Sequence, residues 1–284
     1  MRISPMSISS PTVALWQLAR EMKELRAAHQ MSITDVSRIL EVRISTVSRW
    51  EAAERVPREK ELKQLARHYG LGEEEIAALV ELRRQAGRRG WWQSYDLDRR
   101  YGTFIGLEAD AREIEAYSST VITGLLQTER YAWEIIRGTD GTEESTHEQV
   151  KVRRERQERA FSERGPDLWI ILGEAPLHQL VGGREVMREQ LRHLLDIMDH
   201  PKLTLQVIPY SAGAHIGLVM PSFMILKLAD YGLTTVYTEG RGSNLFLDGD
   251  DDIADHEAVF NKLRLAGMGG DMVRKLLTEV ISEI

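Results

Sequence analysis

The 284-residue chain has no cysteine, which excludes a disulfide framework and a thiolate metal site and leaves nothing to argue for an oxidising compartment. It also lacks any apolar run near the roughly 20 residues that a membrane helix requires. The opening MRISPMSISSPT has no apolar core of the signal-peptide kind. A cytoplasmic protein without a membrane partner is expected. Catalytic patterns are scarce as well. The eight histidines are scattered, and no pair has the HxxxH spacing of a helical metal site. The acidic run Asp248-Gly249-Asp250-Asp251-Asp252, with Asp255, lacks the EF-hand positions and the closing Glu, and reads as a solvated loop. Gly267 to Gly270 has neither the preceding strand nor the following Lys-Ser/Thr of a phosphate cradle. Glu108 and Glu174 are single carboxylates with no identifiable partner in the sequence. No catalytic residue, metal or cofactor is assigned, and no enzyme is expected.

What is present describes an ordinary globular protein of about two domains, with 42% apolar and 29% charged residues and enough length to bury real cores. The formal net charge of -7 divides unevenly. Residues 1–90 hold 16 Lys+Arg against 12 Asp+Glu, a balance of +4, and residues 91–284 hold the remaining 21 against 32, a balance of -11. Phosphate attraction is local, being screened over about 10 Å in physiological salt. That polarity fits a small DNA-touching module on a larger acidic body, and the acidic body fits a basic protein partner.

The chain is organised around SITDVSRILEVRISTVSRWE, residues 32 to 51. Val36, Ile39 and Leu40 fall on one helical face, and Ser32 with Asp35 has the spacing of a capping box. In the second half Val47 and Trp50, three apart, turn inward and leave Arg43, Ile44, Ser45, Thr46, Ser48 and Arg49 outward. Two short helices on a tight turn with such a face make a helix-turn-helix. Arg bonds the two acceptors of guanine bidentately and Ser and Thr donate or accept toward several bases, so this face suits the major groove. Ile44, Ser45, Thr46, Ser48 and Arg49 are the candidate base readers, Ile44 against a thymine methyl. Arg43, with Arg55 and Arg58 from the loop at Ala52 to Arg58, are the candidate phosphate contacts. The other reading is a small bundle with a solvated Ser/Thr/Arg face.

The run Leu25-Arg26, Met31-Ser32, Val36, Leu40, Val42, Ser45 to Glu51, Val56-Pro57, Leu65 and Tyr69 resembles the Cro/cI (Xre-type) helix-turn-helix repressors over about fifty residues. Two positions depart from that family. Ile33 stands where Gln usually binds phosphate, and Glu41 stands where Gly usually accepts a left-handed turn. The resemblance implies a five-helix domain reading double-stranded DNA. One recognition helix covers few base pairs, so a homodimer on a pseudo-palindromic operator is expected.

Around this motif, residues 1–12 form a flexible arm. Leu15, Leu18, Met22 and Leu25 repeat as a first helix with Lys23 and Arg26 on its wet side. Leu62, Leu65, Ala66 and Tyr69 mark a fourth helix, and Ile76, Leu79, Val80 and Leu82 a fifth. The helix-turn-helix domain is placed at residues 13–87 and an α+β domain at 88–284. Trp91 and Trp92, costly to expose, are expected to dock the first domain onto the second. A charged helix is expected from Lys151, laced with i, i+4 pairs. Others are expected around Tyr131 to Ile136, over 184–198, 253–265 and 272–281. Residues 168–172, 203–209, 223–228 and 234–239 read as a sheet of about four strands. His215, in the small-residue loop SAGAHIG, is a candidate for a ligand or partner loop together with Trp91 and Trp92, against the plainer reading of a turn with a capping His.

Gly90-Trp91-Trp92, Gly106-Leu107-Glu108, Gly124 to Thr128 with Tyr131-Ala132, Gln206 to Pro209 and Gly213-Ala214-His215 resemble the C-terminal domain of the actinobacterial WhiJ-like, antitoxin-like regulators. Ser118 to Thr123 departs from that family, which carries prolines there, and a less rigid loop is expected. The resemblance implies a transcriptional regulator whose second domain binds a small partner protein and responds to a signal. Three alternatives stay open: a sensor with a small-molecule effector in that domain, an enzyme fused to a helix-turn-helix with His215 in its cleft, and a scaffold that has lost DNA binding. Operator sequence and the choice between activator and repressor are not encoded in any motif.

Overall fold

The computed structural model describes residues 10–95, 97–139, 142–228, 232–238 and 245–284, and the chain divides into two units after Asp110. The expected arm therefore lies outside the described residues up to residue 9. Ser10 accepts a bond from the amide of Val13, and Pro11, whose fixed φ suits a first helical position, starts the chain's first helix.

Among the described residues the first unit holds α1 (Pro11–Ala28), α2 (Ile33–Ile39), α3 (Ile44–Glu51), α4 (Glu59–His68), α5 (Glu73–Ala86) and α6 (Arg99–Glu108), with a single 3-10 turn at Trp91–Ser94. Leu18, Met22, Val36, Leu40, Val47, Trp50, Leu62, Leu65 and Tyr69 share one buried core. Four helices in a row end in the same way. After α1, α2, α3 and α4 the residue past the cap has positive φ: Gln30 at 53°, Glu41 at 54°, Ala53 at 53° and Gly70 at 74°. In each case the next amide reaches back to the last turn: Met31 to Arg26 O, Val42 to Ser37 O, Glu54 to Arg49 O and Leu71 to Ala66 O, at 2.8 to 3.1 Å. This is the Schellman closure, for which glycine is the usual residue.

Two expectations change here. The sequence placed a boundary after residue 87, yet residues 88–110 belong to the helical unit. The helix α6 carries two glycines, poor helix formers, and so left little periodic signal. Packing explains them. A Cβ on Gly106 would sit 2.1 Å from Thr12 Oγ1 and 2.7 Å from Trp92 Cζ2, and one on Gly90 would sit 2.4 Å from the same ring carbon. Trp92 is thus slotted between Gly90, α1 and α6 inside the helical unit, with Trp91 edge-on to it at 5.9 Å.

The second unit is α+β. It contains β1 (Glu113–Ser118), α7 (Glu129–Arg137), α8 (Glu143–Ala160), β2 (Asp167–Gly173), α9 (Ala175–His178), α10 (Arg184–Ile197), β3 (Leu203–Ile208), β4 (Phe223–Leu228), β5 (Leu233–Thr238), β6 (Leu245–Leu247), α11 (Asp250–Ala266), β7 (Met268–Gly269) and α12 (Asp271–Glu283). Among the described residues the sheet has seven strands in the order β6-β5-β4-β1-β2-β3-β7, where the sequence suggested about four. Glu239, the end of the expected fourth strand, lies outside the described residues. β1, β2 and β3 are parallel, and β4 runs antiparallel to β1. The missed central strand is β1, EIEAYS, whose alternate glutamates disguise it. Glu115 is nevertheless buried, because Lys227 on β4 lies 3.0 Å from Glu113 and 3.2 Å from Glu115. Burial holds the Glu115 carboxyl above the ordinary carboxylate range, against the pull of Lys227. On that face Tyr117, Ile171, Phe223, Ile225 and Val236 pack under Phe260 and Leu263 of α11. The charged helix is α8, with Arg154–Glu158 at 3.0 Å and Arg159–Glu155 at 2.9 Å.

Candidate DNA-reading surface

The first half of the motif is built by its cap. Asp35 N donates to Ser32 Oγ at 3.1 Å, and Ser32 N donates to Asp35 Oδ2 at 2.9 Å, which completes the capping box that starts α2. The Ser32 hydroxyl and amide, both donating to Asp35, hold its carboxyl below the usual range. Ile33 is partly buried against the helical core. Glu41, in the left-handed turn, carries the chain into α3.

The second half is positioned from below. Val47 and Trp50 are fully buried, which fixes the rotation of α3 about its axis. Beneath its last turn Arg26 grips Glu51 with two of its nitrogens, Nε to Oε1 at 2.7 Å and Nη2 to Oε2 at 2.8 Å, and its Nη1 donates to Met31 O at 2.9 Å. The sequence put Arg26 on the wet side of α1; the structure places it in a half-buried fork between two helices. That hydrogen bond to Glu51 raises the Arg26 pKa. Tyr69 packs into the same core, and burial, with the Glu51 carboxylate nearby, pushes its phenol up to about 12. Gln64 Nε2 donates to Ile39 O at 3.0 Å, and Arg83 Nε to Pro57 O at 3.0 Å, so α4 steadies α2 and α5 steadies the loop after α3.

With that rotation set, Arg43, Ser45, Ser48 and Arg49 are exposed, Thr46 is half-buried, and Ile44 is 53% exposed, unusual for an isoleucine. Arg55 and Arg58 are exposed on the following loop. Of the base-reading and phosphate candidates, all but Thr46 are thus exposed, on α3 and on the loop that follows it. Arg26 and Glu51 stood in the family-like run without an assigned role, and Glu54 was not singled out from sequence; the Arg26–Glu51 contact spans 25 residues and leaves no local pattern.

The candidates of the second half fall elsewhere. His215 caps a 3-10 turn at Ile216–Leu218, its Nδ1 accepting from Gly217 N at 3.2 Å, while Tyr117 OH donates to Gly217 O at 2.9 Å. Around this loop Tyr210, Leu218 and Val219 are 64%, 68% and 78% exposed. The Ser118–Thr123 loop is tied down without proline: Ser118 Oγ donates to Val121 O at 2.7 Å and Gln127 Nε2 to Ile122 O at 2.6 Å. Glu174 has partners after all. It accepts from Tyr210 N at 2.6 Å and meets His178 Nε2 at 3.1 Å. The acidic run is not a plain loop, since Asp250, Asp251 and Asp252 form the first turn of α11, where the helix dipole favours them. A groove of about 570 Å3 beside α7 and α10 is lined by charged side chains, including Arg130, Arg188, Arg192, Glu185, Glu189 and Asp196. Among the described residues no cluster of three or more His, Asp or Glu could hold a metal ion, and no helix is long and apolar enough to cross a membrane.

Two sequence families match the chain: a Helix-turn-helix domain over residues 17–79 and a Domain of unknown function (DUF5753) over residues 101–279. Neither the curated proteins nor the solved structures compared with the chain gave a match.

Proposed function

The chain belongs to the DUF5753 family and carries a helix-turn-helix domain ahead of that region, and on this premise we propose that it is a sequence-specific transcriptional regulator whose second unit binds a small partner protein. The helix-turn-helix domain points to a DNA-binding regulator. The observation that carries the finer reading is the division of α3: Val47 and Trp50 inward, Ile44, Ser45, Ser48 and Arg49 outward. In this reading Ser45, Thr46, Ser48 and Arg49 meet base edges, Ile44 presses a thymine methyl, and Arg43, Arg55 and Arg58 hold phosphates. A homodimer places two such helices on half-sites one turn apart. The partner reading is supported by the acidic second half and by the exposed side chains of Leu218 and Val219, at the turn that His215 caps, and of Tyr210 in the turn before it. A small-molecule sensor is the second reading, with the charged groove beside α7 and α10 as its site.

Fluorescence anisotropy on duplex tiles from the upstream region of its own gene, against random duplex at two salt concentrations, tests the proposal. A specificity ratio of about a thousandfold or more with a negative log-log salt slope is expected. Arg49→Ala should cost about 1 to 3 kcal/mol and relax discrimination at one position, whereas Arg55→Ala should weaken every duplex alike. Equal loss on specific and random duplexes for Arg49→Ala would remove its base-reading role. Co-purification with a small protein that is lost when Leu218 and Val219 become Ser would support the partner surface.

A further inference from the structure

Arg49 reads bases in the proposed function, and any role for its neighbours rests on that reading. Glu54, three residues beyond α3, is its neighbour. Glu54 Oε2 lies 3.9 Å from Arg49 Nε and 4.0 Å from Arg99 Nη1, so one carboxylate stands between the exposed arginine of the recognition helix and an arginine of α6. The backbone that carries this carboxylate is clamped on two sides. Glu54 N donates to Arg49 O at 2.8 Å, closing the last turn of α3, and Arg99 Nη2 donates to Glu54 O. Ala53 holds positive φ to make that closure. The local turn, then, brings Glu54 to the reading side chain, and tertiary structure brings Arg99 to Glu54.

We propose that Glu54 is a positioning residue for DNA reading: its carboxylate competes with the operator for Arg49, and Arg99 sets the strength of that competition by drawing the same carboxylate toward α6. In the unbound protein Arg49 is shared with Glu54. On the operator the guanidinium leaves for a base that offers two acceptors, which outcompete a single exposed carboxylate. The contact is solvent-exposed, so its effect is modest, and it is separable from plain charge repulsion between Glu54 and phosphate because it acts only through Arg49.

The test uses the full chain and the duplex it selects from a random library, with Kd read by anisotropy for wild type, Glu54→Gln, Arg49→Met and the double variant. Glu54→Gln should bind about two- to fivefold tighter, the range expected from an exposed ion pair. In the Arg49→Met background the same substitution should change nothing. Arg99→Gln should weaken operator binding about twofold and lose that effect once Glu54 is Gln. A gain for Glu54→Gln that persists undiminished with Arg49→Met, or no gain at all, overturns the proposal while leaving the DNA-reading assignment intact. A library that yields no preferred duplex overturns that assignment first, and this inference with it.

Discussion

Three of the four Schellman closures in the helical unit use a residue other than glycine, and replacing those residues should stabilise the protein. Gln30, Glu41 and Ala53 sit at φ of 53° to 54°. A left-handed conformation costs an L-residue about 1 to 2 kcal/mol, whereas glycine enters it freely but gives up about 0.5 to 1 kcal/mol more chain entropy on folding. The balance is about 0.5 to 1 kcal/mol in favour of glycine at each site. The three turns share no side-chain partner, so the triple variant Gln30→Gly, Glu41→Gly, Ala53→Gly should gain about 2 kcal/mol. For a unit of this size each kcal/mol moves Tm by about 4 °C, so calorimetry of the full chain should show the helical transition rising by about 8 °C. The reverse substitution is the control. At Gly70, φ is +74° and a Cβ would meet nothing within 4 Å, so Gly70→Ala isolates the backbone term and should lower the same transition. A triple variant with unchanged or lower Tm would refute the conformational account of these turns.

Arg26→Met leaves the Glu51 carboxylate, whose side chain is only 8% exposed, without its fork; a loss of about 3 kcal/mol in urea unfolding is expected, and a loss under about 1 kcal/mol would mean that the bridge is dispensable. Gly106→Ala forces a Cβ to within 2.1 Å of Thr12 Oγ1, so the docking of α6 on α1 should loosen and Trp92 fluorescence should shift toward that of exposed tryptophan; an unchanged spectrum and Tm would contradict the slot. Glu115 has its carboxyl raised by burial, so its contribution to stability is complete below the ordinary glutamate pKa and is lost as pH rises through the folded value. Glu115→Gln cannot titrate, so wild type should lose stability relative to it as pH rises above the ordinary glutamate range. Parallel stability curves for the two proteins would rule that out.

The helix-turn-helix was legible because everything that defines it is local. Ser32 and Asp35 cap across three residues, Val47 and Trp50 repeat at helical spacing, and the outward polar face follows from their burial. Even the misfit at Glu41 could be read, since the turn needs a left-handed residue whatever stands there. The helices α7, α8, α10, α11 and α12 announced themselves in the same way, and four of the strands by their β-branched runs. What failed was what depends on a distant partner. β1 looked polar because Lys227, 112 residues beyond Glu115, neutralises its glutamates. The glycines of α6 looked like breakers because Thr12 and Trp92 need the space a side chain would fill.

Periodicity, capping and charge division along the chain thus determined that there is a helix-turn-helix module, which face of its second helix turns outward, and that an acidic α+β unit follows it. Only tertiary structure decided that, among the described residues, the sheet has seven strands around β1, that Arg26 locks Glu51 beneath α3, and that Glu54 lies between Arg49 and Arg99. The difference is physical. Side chains a few residues apart meet through backbone geometry alone, whereas carboxylate and guanidinium groups 25 or more residues apart, as Arg26 and Glu51 are, meet only after the intervening chain has folded.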